Sequence, residues 1–422
     1  MKKSIMLSAA AIAALGAVSS AHAETTILKA AHARRRIGPL CRAGGRRRRS
    51  DGKIASVNPA STPAGETIDL GDMTLLPGLM DAHTHLGYDI EPGWDTEDVK
   101  FTIGDYAFRA AANAKKTLMA GFTTVREVGE PGFIDVALER AVEKGRVAGP
   151  HIIPAGHSLS ITGGHCDSTG WSPGVNERDE TEGVADGADS FVRAARYQIK
   201  HGAKVIKICA TAGVLSFEGP VGAQQMSFEE MKAVADEAHR HGVKVAAHAH
   251  GTDGIIAASE AGIDSIEHGS VITERAANVL KKNGTWLDST LYLATKIDMD
   301  SLPPQIQAKA KYVFPLADES FKLALRKGVK MALGTDAGVY PHGENAGELV
   351  RHVELGQSSI DAIRSATVNN AELFGLSDRG RIAPGLLADI IAVDGDPIAD
   401  ITVLTDVDFV MKSGKVYKTP KK

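Results

Sequence analysis

The feature that most constrains this chain is a regular alternation of short apolar runs with amphipathic stretches between residues 80 and 335. The apolar runs are Met80–Leu86, Phe122–Val128, His151–Ala155, Lys204–Ala210, Lys244–His250, Ser265–His268, Trp286–Thr290 and Lys330–Thr335. Runs this short and apolar read as strands covered on both faces. The stretches between them read as helices. One of these, Ser227–His241, opens with Ser227-x-x-Glu230, a pair that satisfies two free amides at a helix start. Parallel strands need helical crossovers, and eight such units over about 300 residues predict an α/β fold, a closed (β/α)8 TIM-type barrel. A doubly wound sheet shares this alternation and stays open to counting alone.

The flanks are different in kind. Residues 24–76 and 380–422 read as short strands and turns, and the segments Asp51-Gly52-Lys53-Ile54 and Ser413-Gly414-Lys415-Val416 are near copies of each other. Two such pieces at opposite ends of a chain predict one small β-sandwich domain, built in two parts around a barrel at 77–379. Ahead of it, Lys2 and Lys3, the apolar run Ile5–Val18 and Ala21-His22-Ala23 make the three parts of a secretory leader over residues 1–23. A periplasmic or secreted mature protein is therefore expected, and no later stretch is long and apolar enough to span a bilayer.

Composition fits an enzyme-sized α/β chain. Forty-four glycines and 5% aromatic residues suit many tight turns, and a net charge of −4 gives no general reason to expect nucleic acid. Cys41, Cys166 and Cys209 are odd in number and widely spaced, so no disulfide framework and no cysteine-type zinc site is read. One stretch departs from the rest. Residues 34–49 hold eight arginines among Gly38, Pro39, Gly44 and Gly45. A polyanion patch, a solvated loop and a reading-frame artefact are the three readings open for it.

Polar residues gather at the C-terminal ends of the expected strands. His-x-His occurs three times among fifteen histidines, so position has to discriminate. His239 and His241 end a helix, where imidazole meets the helix dipole favourably, and read as structural. His83 and His85 end the first strand, where residues i and i+2 point the same way and both rings can converge inside the barrel mouth. His248 ends the fifth strand, His268 the sixth and Asp336 the eighth. Lys207 stands within Val205-Ile206-Lys207-Ile208, where an unpaired ammonium is costly. Barrel active sites lie at this end of the strands, which puts all six residues on one rim.

With these residues and the signature Leu76-Pro77-Gly78-Leu79-x-Asp81-x-His83-x-His85, the chain resembles the amidohydrolase superfamily through to Ala388-Asp389-Ile390. Gly163-Gly164-His165-Cys166-Asp167, Ile206-Lys207-Ile208-Cys209-Ala210-Thr211 and Gly338-Val339-Tyr340-Pro341-His342-Gly343 are similar to the branch of prolidase-like dipeptidases and Xaa-Arg(Lys) zinc carboxypeptidases, relatives of imidazolonepropionase. The resemblance implies two Zn2+ per subunit. His83, His85 and Asp336 would hold the more buried ion, and His248 with His268 the more exposed one. Lys207 would bridge both as a CO2-derived carbamate. It also implies that Asp336 is the catalytic acid–base, and that His165 and His250, with Tyr340 and His342, line the substrate site. A homo-oligomer acting on a small molecule or dipeptide is implied, with no nucleic-acid partner.

The expected reaction is release of a C-terminal amino acid from a dipeptide or N-acyl amino acid. Asp89, Glu91, Asp95 and Glu97, close in sequence to the first histidines, favour Arg or Lys as the released residue, beside Pro. The alternatives are an amidase for aromatic N-acyl amino acids such as ochratoxin A, or an imidazolonepropionase-like cyclic amide hydrolase.

Overall fold

The computed structural model describes residues 26–30, 52–59 and 65–421. The expected leader at 1–23, Cys41 and the arginine run at 34–49 lie outside the described residues. Among the described residues the strands, in chain order, are β1 (Thr26–Lys29), β2 (Glu66–Asp69), β3 (Thr74–Pro77), β4 (Leu79–Thr84), β5 (Phe122–Glu127), β6 (His151–Ile153) and β7 (Val205–Cys209). They continue with β8 (Lys244–Ala249), β9 (Ser265–His268), β10 (Trp286–Asp288), β11 (Lys330–Met331), β12 (Ile390–Val393), β13 (Phe409–Lys412) and β14 (Lys415–Lys418).

Strands β4 to β11 are the eight expected barrel strands. They pair in parallel as β4-β5-β6 and as β7-β8-β9-β10-β11. Single parallel bridges close the two seams, Leu159 with Ile208 and Thr84 with Ala337. The Ala82 amide adds a bond to the Leu333 carbonyl oxygen at 2.8 Å. The fold is a closed (β/α)8 barrel. Some strands end earlier than their apolar runs. Pro154 has no amide to extend β6, and beyond β11 the amides of Thr335 and Asp336 both turn to the His83 carbonyl oxygen, at 3.3 and 2.8 Å.

The helices between strands bury one face each. Ile206, Ile208, Val245 and Ala247 point outward from the barrel into a shared core with Phe191, Met231, Ile255 and Phe321 of the surrounding layer. Alternation along β7 therefore turns Lys207 inward between two core-facing isoleucines. The helix Phe228–Arg240 starts as its sequence indicates, with Ser227 and Glu230 forming the reciprocal cap.

The chain ends meet beside the barrel. β14-β13-β12-β3 form an antiparallel sheet, β1 and β2 a parallel pair, and Leu28, Ile54, Leu70, Leu75, Ile390 and Phe409 share one core. The two near-copy turns lie against each other. Gly52 sits at φ 62°, and a Cβ there would come within 2.6 Å of the Ser413 carbonyl oxygen, so only glycine fits.

Replacing Ser227 with alanine removes the hydroxyl that accepts from the Glu230 amide. Denaturant unfolding should show a loss of about 1 kcal/mol, with activity unchanged.

Candidate active site

Six side chains converge at the C-terminal mouth of the barrel from four strands and the segments that follow β4 and β11. His83 and His85 lie on β4 and directly after it, Lys207 on β7, His248 on β8, His268 on β9, and Asp336 just beyond β11. His83 Nε2 and His85 Nε2 stand 3.5 and 3.6 Å from Asp336 Oδ1. Lys207 Nζ is 3.5 Å from His83 Nε2. The rings of His83 and His268 have centroids 5.0 Å apart, and those of His248 and His268 are 4.7 Å apart. Two of the six residues need unusual backbone: His268 has φ 70° and Asp336 φ 58°, a region that side chains other than glycine adopt reluctantly.

Three of the four imidazoles, those of His83, His85 and His268, are oriented by the far nitrogen. His83 Nδ1 donates to Glu267 Oε2 at 2.9 Å, His85 Nδ1 to the Gly129 carbonyl oxygen at 3.1 Å, and His268 Nδ1 pairs with Thr290 Oγ1 at 2.7 Å. Every one of these bonds leaves Nε2 for the cavity. His248 Nε2 is buried with no hydrogen-bond partner. A buried, unpartnered nitrogen wants an occupant, and a metal ion fits it. Donor atoms of His83, His268 and Asp336 lie within 4.8 Å of one another, and so do those of His248, His250 and His268. The cluster therefore has the donor types and spacing that a metal centre uses.

Burial sets the charge states of the protein groups. It drives the His83, His248 and His268 imidazoles well below their usual range, with the neighbouring Lys207 or other histidines adding to the effect. Neutral imidazole is the ligating form. Burial also lowers the Lys207 ammonium, against the pull of Glu267 and Asp336. It pushes the Asp336 carboxyl up to about 6, although Lys207 holds it back.

His165 and His250 flank this cluster. The His165 ring lies 4.1 Å from that of His248, and the His250 ring stacks on His268 at 4.9 Å. His165 Nδ1 bonds to Ser216 Oγ at 2.7 Å and lies 3.2 Å from Glu218; His250 Nδ1 bonds to Ser270 Oγ at 2.8 Å. Burial raises the Glu218 carboxyl, but hydrogen bonds from His165, Ser216 and the Gly213 amide outweigh it and hold it at about 2. Lys309, on the helix Pro304–Lys327, donates to the carbonyl oxygens of Gly213, Ser216 and Glu218 and so fixes that loop. Tyr340 and His342 are not brought to the cavity. Tyr340 packs with Leu293 and Ala337, and His342 bonds Thr117 Oγ1 and the His85 carbonyl oxygen behind the barrel wall.

The cavity over the cluster holds about 720 Å³. Trp94, Phe101, Phe133, Trp171, Phe217 and Phe314 line much of it. The acids expected to accept a cation are largely engaged elsewhere. Arg109 binds Glu97 through both terminal nitrogens, at 2.7 and 2.8 Å, and lies 3.9 Å from Asp89, which also accepts from Asn113. Glu91 is exposed and outside the lining, whereas Asp95 lines the cavity, as does Asp98 in its pair with Arg178 at 2.6 Å.

Three features went unread in the sequence. Glu267 and Arg126 each interrupt an apolar strand, the same signal that picked out Lys207, and both are fully buried. Cys166 and Cys209 form a disulfide, Cα atoms 6.0 Å apart, that ties the His165 loop to the end of β7. Their separation of 43 residues gave no motif to read. The placement of Cys166 beside His165 and of Cys209 two residues after Lys207 was the available cue.

Fold and site together define a (β/α)8 barrel with a candidate metal-ligating cluster at its mouth. Residues 74–417 match the amidohydrolase family, and the chain belongs to that family. Ochratoxinase from Aspergillus niger is 33% identical over 374 residues, covering 82% of this chain and 76% of its own. A solved Xaa-Pro dipeptidase with methionine in its active site is 37% identical, with a TM-score of 0.87 over 94% of this chain and all of that one. A prolidase solved with N-methylphosphonate-L-proline is 30% identical, with a TM-score of 0.84 over 93% of this chain and 99% of that one. The protein is a hydrolase of amide bonds in the prolidase-like part of the family.

Glu218→Gln should leave metal content unchanged and raise KM about tenfold, because a charge-assisted hydrogen bond that orients His165 is lost. Metal analysis and steady-state kinetics on the purified variant check both halves of that statement.

Proposed function

We propose that this enzyme uses two zinc ions to release a C-terminal amino acid from a dipeptide or N-acyl amino acid. The observation that carries the reading is the convergence of His83, His85, Lys207, His248, His268 and Asp336 around unpartnered His248 Nε2. His83, His85 and Asp336 would hold one ion and His248 with His268 the other, with Lys207 bridging both as a carbamate. The amine at that position has to lose its charge to ligate, and a carbamate supplies two oxygen donors and a negative charge in its place. When bound, the metals supply Lewis acidity and a water acidified towards neutral pH.

The protein's own groups do the rest. Asp336 faces the nucleophile's position, accepts its proton, and returns that proton to the leaving nitrogen as the C–N bond breaks. His165 and His250 have their Nδ1 atoms engaged, so each presents Nε2 to the cavity. These two nitrogens suit the substrate's carbonyl and α-carboxylate oxygens.

The lining also favours an apolar or aromatic substrate over a cationic one. Among the acids of the segment after β4, Glu97 and Asp89 are held by Arg109 and Asp98 is paired with Arg178, which leaves Asp95 as a weak basis for Arg or Lys specificity there. Likeness to ochratoxinase and to prolidases supports the same direction. Export rests on the pattern of residues 1–23, and a disulfide suits an oxidising compartment.

Asp336→Asn keeps the shape and removes the proton acceptor. Turnover should fall at least 10²-fold, measured as single-turnover release of product, and near-normal turnover would mean that another group moves the proton. The substrate reading is tested with N-acyl-Phe, N-acyl-Pro and N-acyl-Arg, each beside its C-terminal amide, before and after removal of metal with a chelator. Free acids should be cleaved well ahead of amides, Phe and Pro ahead of Arg, and all cleavage should stop on chelation. Equal rates for acid and amide would make the enzyme a general amidase.

A further inference from the structure

Arg126 is the largest side chain fully buried among the described residues. It stands on β5, and its guanidinium reaches across the barrel interior to the strands on either side of the metal-ligating cluster. Nε donates to the Ala82 carbonyl oxygen at 2.6 Å, one residue before His83. The terminal nitrogens donate to Ser265 Oγ at 3.0 Å and to Glu267 Oε1 at 2.8 Å, one residue before His268. Ser265 Oγ donates to the same Glu267 oxygen at 2.5 Å. Oε1 thus takes two donors, and Oε2 is left to accept from His83 Nδ1 at 2.9 Å.

A strut alone does not explain this arrangement. A buried ion pair adds little net stability compared with apolar side chains of the same volume, so Met or Leu would serve β5 at least as well. What the pair does supply is a direction. An ionised carboxylate only accepts hydrogen bonds, so the proton on His83 must sit at Nδ1 and the lone pair at Nε2. Nε2 faces Lys207 Nζ and Asp336 Oδ1, each 3.5 Å away. We infer that Arg126 and Glu267 are positioning residues that act as one unit: Arg126 holds Glu267 in register, and Glu267 locks His83 in the tautomer that presents Nε2 to a metal ion. The inference rests on the proposed role of His83 as a ligand.

The unit makes a prediction that a strut does not. In Glu267→Gln, Arg126 and Ser265 still demand an acceptor, so the amide oxygen turns to them and the NH2 group points at His83 Nδ1. That nitrogen must then accept, and the proton moves to Nε2, where it blocks ligation. Removing the guanidinium as well, in Arg126→Met with Glu267→Gln, frees the amide to turn its oxygen back to His83. Zinc affinity by chelator competition, and the visible spectrum of the cobalt(II) form, are read for wild type, both single variants and the double variant. Thermal unfolding of each is followed in parallel.

Glu267→Gln should weaken metal binding about 10–100-fold, Arg126→Met less, and the double variant should bind more tightly than Glu267→Gln alone. The cobalt spectrum should change in Glu267→Gln and return towards wild type in the double variant. If the double variant binds as weakly as Glu267→Gln, or more weakly, or if Glu267→Gln binds like wild type, the inference is overturned. Should Glu267→Gln fail to fold, the test passes to Arg126→Met: weaker zinc binding with an altered cobalt spectrum supports the inference, and wild-type binding overturns it. Wild-type protein that binds no zinc overturns the ligand reading of His83, and the inference with it.

Discussion

Lys207 stands buried at the centre of β7, between two isoleucines that face the helical layer, and its amine lies at the floor of the cavity. An ammonium in that position must be paired, neutralised or chemically changed. The contact at hand is a histidine nitrogen at 3.5 Å, with no carboxylate of the described residues in salt-bridge range. This one constraint shapes the site around it. The His83, His248 and His268 imidazoles are buried, those of His83, His85 and His268 are turned by a bond on the far side, and the acids lie one step back from the amine. A carbamate at Lys207, as proposed, would reverse the sign of the central charge and join the neutral histidines and Asp336 as donors to a cation.

The barrel was legible because its signal is redundant. Eight apolar runs, a reciprocal helix cap and paired end segments all point to the same topology, and the matching turns at Gly52 and Gly414 do come together across the sheet of the two chain ends. The convergence of the candidate residues was legible where strand periodicity determines direction, as at His83, His85, Lys207 and His248. Loops carry no such period. Tyr340 and His342 lie close in sequence to Asp336, yet the chain turns at Asp336 and Gly338, both at positive φ, and carries them behind the wall. Proximity along a loop says little about which way it folds.

The acids after β4 show the same lesson in charge. Asp89, Glu91, Asp95 and Glu97 look like a cation-binding cluster only until their partner is known. Arg109 lies on the helix Ile103–Met119, a turn and a half into it, and it takes Glu97 in a bidentate pair while approaching Asp89. Sequence separation hides that pairing because a loop and a helix meet there in space. The consequence is chemical as well as structural, since the charge of Glu97 is used to hold the loop, and Trp94, Phe101, Phe133, Trp171, Phe217 and Phe314 are among the residues that line the cavity.

The loops beside the cluster are tied down at several points. Lys309 caps three carbonyl oxygens of the loop that carries Ser216 and Glu218, those two side chains hold His165, and the Cys166–Cys209 disulfide fastens the next residue to the strand of Lys207. His268 and Asp336 add positive-φ backbone at the rim, a conformation that persists only where the surroundings enforce it. A binding site with its donors fixed in advance loses little freedom when the substrate arrives. It also places donors where a transition state needs them without reorganisation. The stiffness of these loops is therefore the same property, seen at the substrate side, that the buried Arg126–Glu267–His83 chain provides beneath the cluster.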